Sequence, residues 1–136
     1  MSIDLLKRFT VLAVLAVSVS VSIAAGTCIA DAPRVVKATP DDGDQKVDPK
    51  LDLLVVEFDQ DMDTGGQSLC GIQKADVAGE PRWKGKRVFE IPIKLKPSQK
   101  YQWSVNCPSF RNFKSEDGES AVIYPLRFKT AAAGKK

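Results

Sequence analysis

From Pro33 onward, apolar and polar residues alternate in short runs separated by turn-forming clusters, and no stretch sustains a helical period. Residues 34–39, RVVKAT, predict a first strand that Pro40 stops, and residues 40–50, PDDGDQKVDPK, read as a turn-rich loop. Residues 51–58, LDLLVVEF, set Leu54, Val56 and Phe58 on one face and Val55 and Glu57 on the other, the pattern of a central strand partly covered on both sides. A strand over 67–74, QSLCGIQK, turns Cys70 and Ile72 inward. Residues 80–93 predict a hairpin with its turn at Lys84-Gly85-Lys86; Phe89, Ile91 and Ile93 face in, while Val88, Glu90, Pro92 and Lys94 face out. Pro92 lacks a ladder donor, which places this arm near an edge or a bulge. In 100–107, KYQWSVNC, Tyr101, Trp103, Val105 and Cys107 alternate inward against Gln102, Ser104 and Asn106. After a loop at 108–120, a last strand at 122–129 buries Tyr124, Leu126 and Phe128 and exposes Arg127 and Lys129. About seven short strands at regular spacing predict an all-β, immunoglobulin-like antiparallel sandwich over 31–130, with 131–136 a short flexible tail.

The residues before this pattern are of another kind. MSIDLLKR carries two basic side chains, and Phe9 to Gly26 is unbroken by charge, so residues 1–30 read as an export signal peptide. The apolar run of about 18 residues is also just long enough to span a bilayer, so an uncleaved anchor is one alternative. Lipidation at Cys28, directly after AAGT, is another. Cleavage after Ala30 fits the small-x-small rule, and the expected mature protein begins at Asp31 without lipid or membrane insertion. Intact mass of the native protein checks this: diacylglycerol on Cys28, or a retained leader, overturns it. Cleavage leaves Cys70 and Cys107, an even number in an oxidising compartment, and a disulfide is the first expectation. Two buried thiols are the other reading, because strand parity does not fix the register.

Charge narrows the function. Removing Lys7, Arg8 and Asp4 from 20 basic and 17 acidic residues leaves a net charge of +2. That balance argues against nucleic acid as a partner, which needs a clustered cationic excess. The chain has no histidine, which excludes Ser-His-Asp and Cys-His triads and His-ligated zinc or copper.

Three segments together resemble the bacterial Ig-like domain of surface-layer and secreted proteins, the SbsA type. PRVVKATPDDGDQKVDPKLDLLVVEFDQDMD at 33–63 is similar to the family's strand, turn, strand and closing Phe-x-x-x-Met-Asp. LKPSQKYQWSV at 95–105 is similar to its Leu-x-Pro-Gly-x-x-Tyr corner, with Ser98 where glycine is usual, and LRFKT at 126–130 to its closing strand. The resemblance implies a sandwich and supplies no catalytic residue. The opening through Phe58 also resembles periplasmic copper-resistance sandwiches. Copper binding does not carry over, because their histidines are missing and only Met1 and Met62 are methionines.

Several clusters are candidate contact residues. Asp59, Asp61 and Asp63 are spaced like the start of an EF-hand loop, but Thr64 stands where glycine is required and Cys70 where the bidentate Glu belongs. The expectation is a solvated loop with Met62 plugging the core end, and no cofactor. Residues 41–63 hold nine acids and two lysines, whereas 82–100 hold seven basic residues and only Glu90. If strands alternate in direction, the 59–66 loop, the Lys84–Lys86 turn and the 108–120 loop emerge at one end, either as a polar binding end or as charges that pair locally. Trp83 reads as a packing residue of the hairpin. Phe110, Arg111 and Phe113 either form a contact patch or fold back over the core, the second being favoured. These readings predict a non-catalytic envelope module acting on protein or polysaccharide. The alternatives are a small secreted inhibitor or accessory subunit, and a carboxylate-pair enzyme for which so small a chain offers little cleft.

Overall fold

The computed structural model describes residues 31–134; residues 1–30, where the export signal and Cys28 are read, lie outside the described residues. Seven strands follow in the order β1 (Val35–Thr39), β2 (Leu53–Phe58), β3 (Leu69–Cys70), β4 (Arg82–Lys84), β5 (Val88–Pro92), β6 (Lys100–Val105) and β7 (Tyr124–Lys129). They form two antiparallel sheets, β1-β2-β5-β4 and β3-β6-β7. This strand order is that of a constant-type immunoglobulin sandwich. The alternation that predicted the strands also fills the core. Leu54, Val56 and Phe58 from β2, Phe89 and Ile91 from β5, Tyr101, Trp103 and Val105 from β6, and Leu126 and Phe128 from β7 are all buried between the sheets.

Aromatic rings divide the interior into two clusters. Tyr101, Trp103 and Phe128 lie within 5.0–5.3 Å of one another, centroid to centroid. Phe58, Trp83, Phe89 and Phe113 form the other, at 5.1–5.9 Å. Trp83 is a packing residue, directly opposite Phe89 in the β4–β5 pair, and its buried indole N–H has no partner.

Several expectations are corrected. The strand expected over 67–74 is only two residues long. Gly71 ends it with φ +84°, and a Cβ there would meet the Gln102 carbonyl oxygen at 2.3 Å. Leu69 sits opposite Val105 and packs on the core, so Cys70, opposite Ser104, faces outward rather than inward. Glu90 is not solvated: its outer face is crossed by Arg82, whose Nε lies 3.0 Å from Glu90 Oε2. Strand β5 is interior, between β2 and β4, but Pro92 lies beyond the last pair with β4. The Ile93 N–H donates to the Asp52 carbonyl, so the Pro92 nitrogen points away from β2 and no ladder bond is lost. Ala131 belongs to the domain rather than the tail, held by hydrogen bonds to Val47 and Ser98.

The loop at 40–50 is more ordered than its composition suggests. Its residues 42–47 run along the outer edge of β7: Gly43 N–H donates to the Arg127 carbonyl, Lys129 N–H to Asp44 and Val47 N–H to Lys129. The Asp42 carboxylate accepts from the Arg127 N–H at 2.8 Å and from its guanidinium. Partial burial pushes the Asp42 carboxyl up, but the bonds and charge from Arg127 outweigh it and hold the group below its ordinary value of 3.8. A carboxylate depressed by folding contributes stability above its unfolded pKa, and this is lost as pH falls below about 3.8 through the folded value. Thermal melts between about pH 5 and pH 2 should therefore show a flatter acid limb in Asp42→Asn than in the wild type, with the variant less stable at neutral pH.

The corner before β6 matches the motif read at 95–105. Tyr101 Oη accepts from the Lys96 N–H at 2.8 Å, tying the start of β6 back across the turn. Ser98, where glycine is usual, has φ 51°. A non-glycine residue pays about 1–2 kcal/mol in that region, partly offset by the stiffer unfolded chain. Ser98→Gly should raise stability by about 0.5–1 kcal/mol in denaturant titration, because the backbone keeps its bond to Ala131.

Candidate functional site

Antiparallel order brings the 59–66, 84–87 and 108–121 segments to one end of the sandwich, as their sequence positions imply. Backbone bonds stitch them together: Met62 N–H to the Lys86 carbonyl, Asp63 N–H to Lys114, and Glu116 N–H to Asp61. Met62 is buried and closes the core here.

The long loop is organised by Asn106, which strand parity had placed outside with Gln102 and Ser104. Instead Asn106 is 0% exposed and has φ 57°, a left-handed conformation that asparagine tolerates. Its Nδ2 donates to the carbonyls of Phe113 and Ala121, at 3.0 and 3.1 Å, and its Oδ1 accepts from the Phe113 N–H at 3.0 Å. Phe113 is thereby fixed among Phe58, Trp83 and Phe89 and is fully buried, so it leaves the contact set. Phe110 does the opposite of the favoured reading. It is 62% exposed, at the closing end of a tight turn whose tip is Pro108-Ser109 and whose ends, Cys107 and Phe110, exchange reciprocal bonds. Arg111 beside it is also exposed.

Cys70 and Cys107 are bridged, with Cα atoms 6.3 Å apart. The route differs from the parity argument, in which both sulfurs pointed into the core and the register was left open. Cys70 is opposite Ser104, and the left-handed turn at Asn106 swings Cys107 out of line. The bridge thus lies on the outer side of β3 and β6, at the foot of the Phe110 turn, and both cysteines are half-buried.

The three aspartates are not gathered into a site. Asp59 Oδ1 accepts from the Arg34 N–H, Asp61 pairs with Arg87 Nε at 2.9 Å, and Asp63 Oδ1 accepts from the Gly65 N–H. The Arg87 guanidinium holds the Asp61 carboxyl below the ordinary range, and Glu116, paired with Lys86, pushes that ammonium up. Acidic loop and basic turn are therefore neighbours whose charges pair locally, while Lys84 stands exposed on β4.

What these loops leave between them is a furrow. Its middle, about 670 Å³, has Asp63, Thr64, Gly65, Gly66 and Gln67 on one wall and Asn112 and Lys114 on the other. The walls meet closely: a Cβ at Gly66 would stand 2.9 Å from the Asn112 carbonyl oxygen. Through Gln67 and Asn112 the furrow continues into a depression of about 500 Å³ that runs along β3 to the disulfide and Phe110. On its other side it reaches Thr64, Lys86 and Glu116. Hydroxyl, amide, carboxylate and ammonium groups beside one exposed ring can make reversible polar and apolar contacts. Sequence reading missed Thr64, Gln67, Asn112 and Lys114; the Gly65-Gly66 pair was the available signal that two backbones come close here.

Among the described residues, no helix is long and apolar enough to cross a membrane. No protein-family model matches the chain, and no curated protein matches it.

Proposed function

We propose that this chain is an exported, non-catalytic Ig-like module of the SbsA type that works in the cell envelope by gripping a protein or a polysaccharide along the furrow. The observation that carries the reading is Phe110, 62% exposed on a turn held by a disulfide and opening onto polar walls. A single exposed apolar residue is ordinary in itself, but aromatic rings are enriched in contact surfaces, and this one stands at the edge of a concave surface. The disulfide fits an oxidising compartment, and the leader at 1–30 supports export. A furrow open along its length suits a chain-like ligand.

The native protein, incubated with isolated cell wall and separately with envelope protein extract, should be retained by one of them. Phe110→Ser should weaken that retention without changing the melting temperature. Loss of retention in both arms overturns the reading. A soluble enzyme co-purifying at fixed stoichiometry replaces it with the inhibitor or accessory-subunit alternative.

A further inference from the structure

Four strands form the outer edges of the two sheets, and three of these edges carry a device against further pairing. The outer edge of β7 is occupied by 42–47, and Pro125 offers no donor there. Strand β4 is three residues long and carries Arg82 and Lys84. Strand β1 has an irregular register between Val35 and Lys37 and is flanked by Pro33 and Pro40. Bulges, cations, prolines and covering segments are the usual ways of blocking an edge.

Strand β3, though only two residues long, carries no bulge, cation or proline. The Asn106 N–H donates to the Ser68 carbonyl, which makes Ser68/Asn106 and Cys70/Ser104 the bonded pairs of the register. Leu69 therefore turns its N–H and C=O groups away from β6, and Gln67, two residues before it, lines the depression of about 500 Å³ together with it. Residues 64–73, TGGQSLCGIQ, carry no charge at all. Across the depression stands Phe110, and next to it Arg111; Lys114 lines the adjoining stretch of furrow. Among the described residues neither cation is in an ion pair, in contrast to Lys86 and Arg87 nearby.

We propose that the β3 edge receives an extended segment of a partner protein as an added strand. Resting on the contact reading above, the inference names the ligand: a peptide that pairs with Gln67 and Leu69, sets an apolar side chain against Phe110 and places acidic residues toward Arg111 and Lys114. Backbone bonds give such a complex its affinity and the flanking side chains its specificity. A second copy of the chain fits the edge poorly. A two-fold pairing the β3 edges would set the cations Arg111 and Lys114 near their own equivalents, where an acidic peptide would face them instead.

The probe is a synthetic nine-residue peptide of alternating valine and threonine, with leucine at its centre and glutamate at each end, titrated into the isotope-labelled full chain. Saturable amide shifts and slowed hydrogen exchange should appear at Gln67 and Leu69, with ring shifts at Phe110. The same peptide N-methylated at alternate residues should bind at least about tenfold more weakly, as should one ended by lysines. Gln67→Pro removes an N–H that no ladder uses, and Phe110→Ser removes the ring; both should keep the wild-type melt and lose the response. The proposal is overturned if no saturable shift occurs, if shifts map to β1 or β4, if N-methylation has no effect, or if the chain dimerises through Leu69 without peptide. Retention on envelope material with no peptide response removes strand addition and leaves the contact reading standing; a peptide response without retention does the reverse.

Discussion

Asn106→Ala should cost about 3–5 kcal/mol, enough to bring a domain of ordinary stability close to unfolding. Three hydrogen bonds disappear with the amide. The Phe113 N–H and the Ala121 carbonyl lose a buried partner, and each such group costs about 1–3 kcal/mol. The Phe113 carbonyl suffers less, because it keeps the Ala121 N–H at 2.8 Å. Alanine also tolerates the φ of 57° less well than asparagine. Asn106→Gly separates the two contributions: it relieves the backbone and still loses the bonds, so it should recover only about 1 kcal/mol of the alanine loss. Chemical denaturation of the three proteins measures this. A loss below about 1 kcal/mol in Asn106→Ala would mean that the loop holds its shape without the amide. In the surviving folded fraction, exchange protection should fall first in 108–121, and the Phe110 turn should lose its fixed place beside β3.

Most of the sandwich was legible because period-2 alternation reports burial directly wherever a strand has one inner face. The runs at 34–39, 51–58, 100–107 and 122–129 all recur as strands trimmed by one or two residues, and the hairpin turns at 85–87, one residue later than the expected Lys84-Gly85-Lys86. Legibility ends where parity breaks. At Gly71 and Asn106 the backbone enters the left-handed region, so the residue after each no longer alternates with the one before. Both errors about the cysteines come from that single cause: Cys70 precedes one break and Cys107 follows the other. The 42–47 segment was missed for a different reason. It pairs along β7 through backbone groups and buries little besides Val47, so its side chains carry no periodic signal. The candidate furrow is harder still, since its walls are loops whose approach depends on Asn106 and Gly66. Neither residue type marks a site by itself.

Breaking the Cys70–Cys107 bridge should lower stability by about 3–4 kcal/mol, the chain-entropy value for a separation of 37 residues. For a domain near 100 residues, that is a fall in melting temperature on the order of 15–25 °C. The outward placement decides what kind of loss this is. Had the sulfurs lain between the sheets, as strand parity implied, serine would bury two unpartnered hydroxyls and cost more than alanine. On the outer side of β3 and β6, both cysteines are half-buried and a serine hydroxyl reaches water. The double variants Cys70→Ser/Cys107→Ser and Cys70→Ala/Cys107→Ala should therefore melt within a few degrees of each other, and both near the wild type under reductant. Thiol titration of the denatured, unreduced protein should find no free thiol from this pair. The bridge also joins β3 to the Phe110 turn, so its loss reaches the furrow. Reduction should speed amide exchange at Cys107 and Phe110 before any global change, while Phe113, held by Asn106, stays protected. Equal melting with and without reductant would show that the Asn106 bonds already fix the loop and that the bridge adds nothing to it.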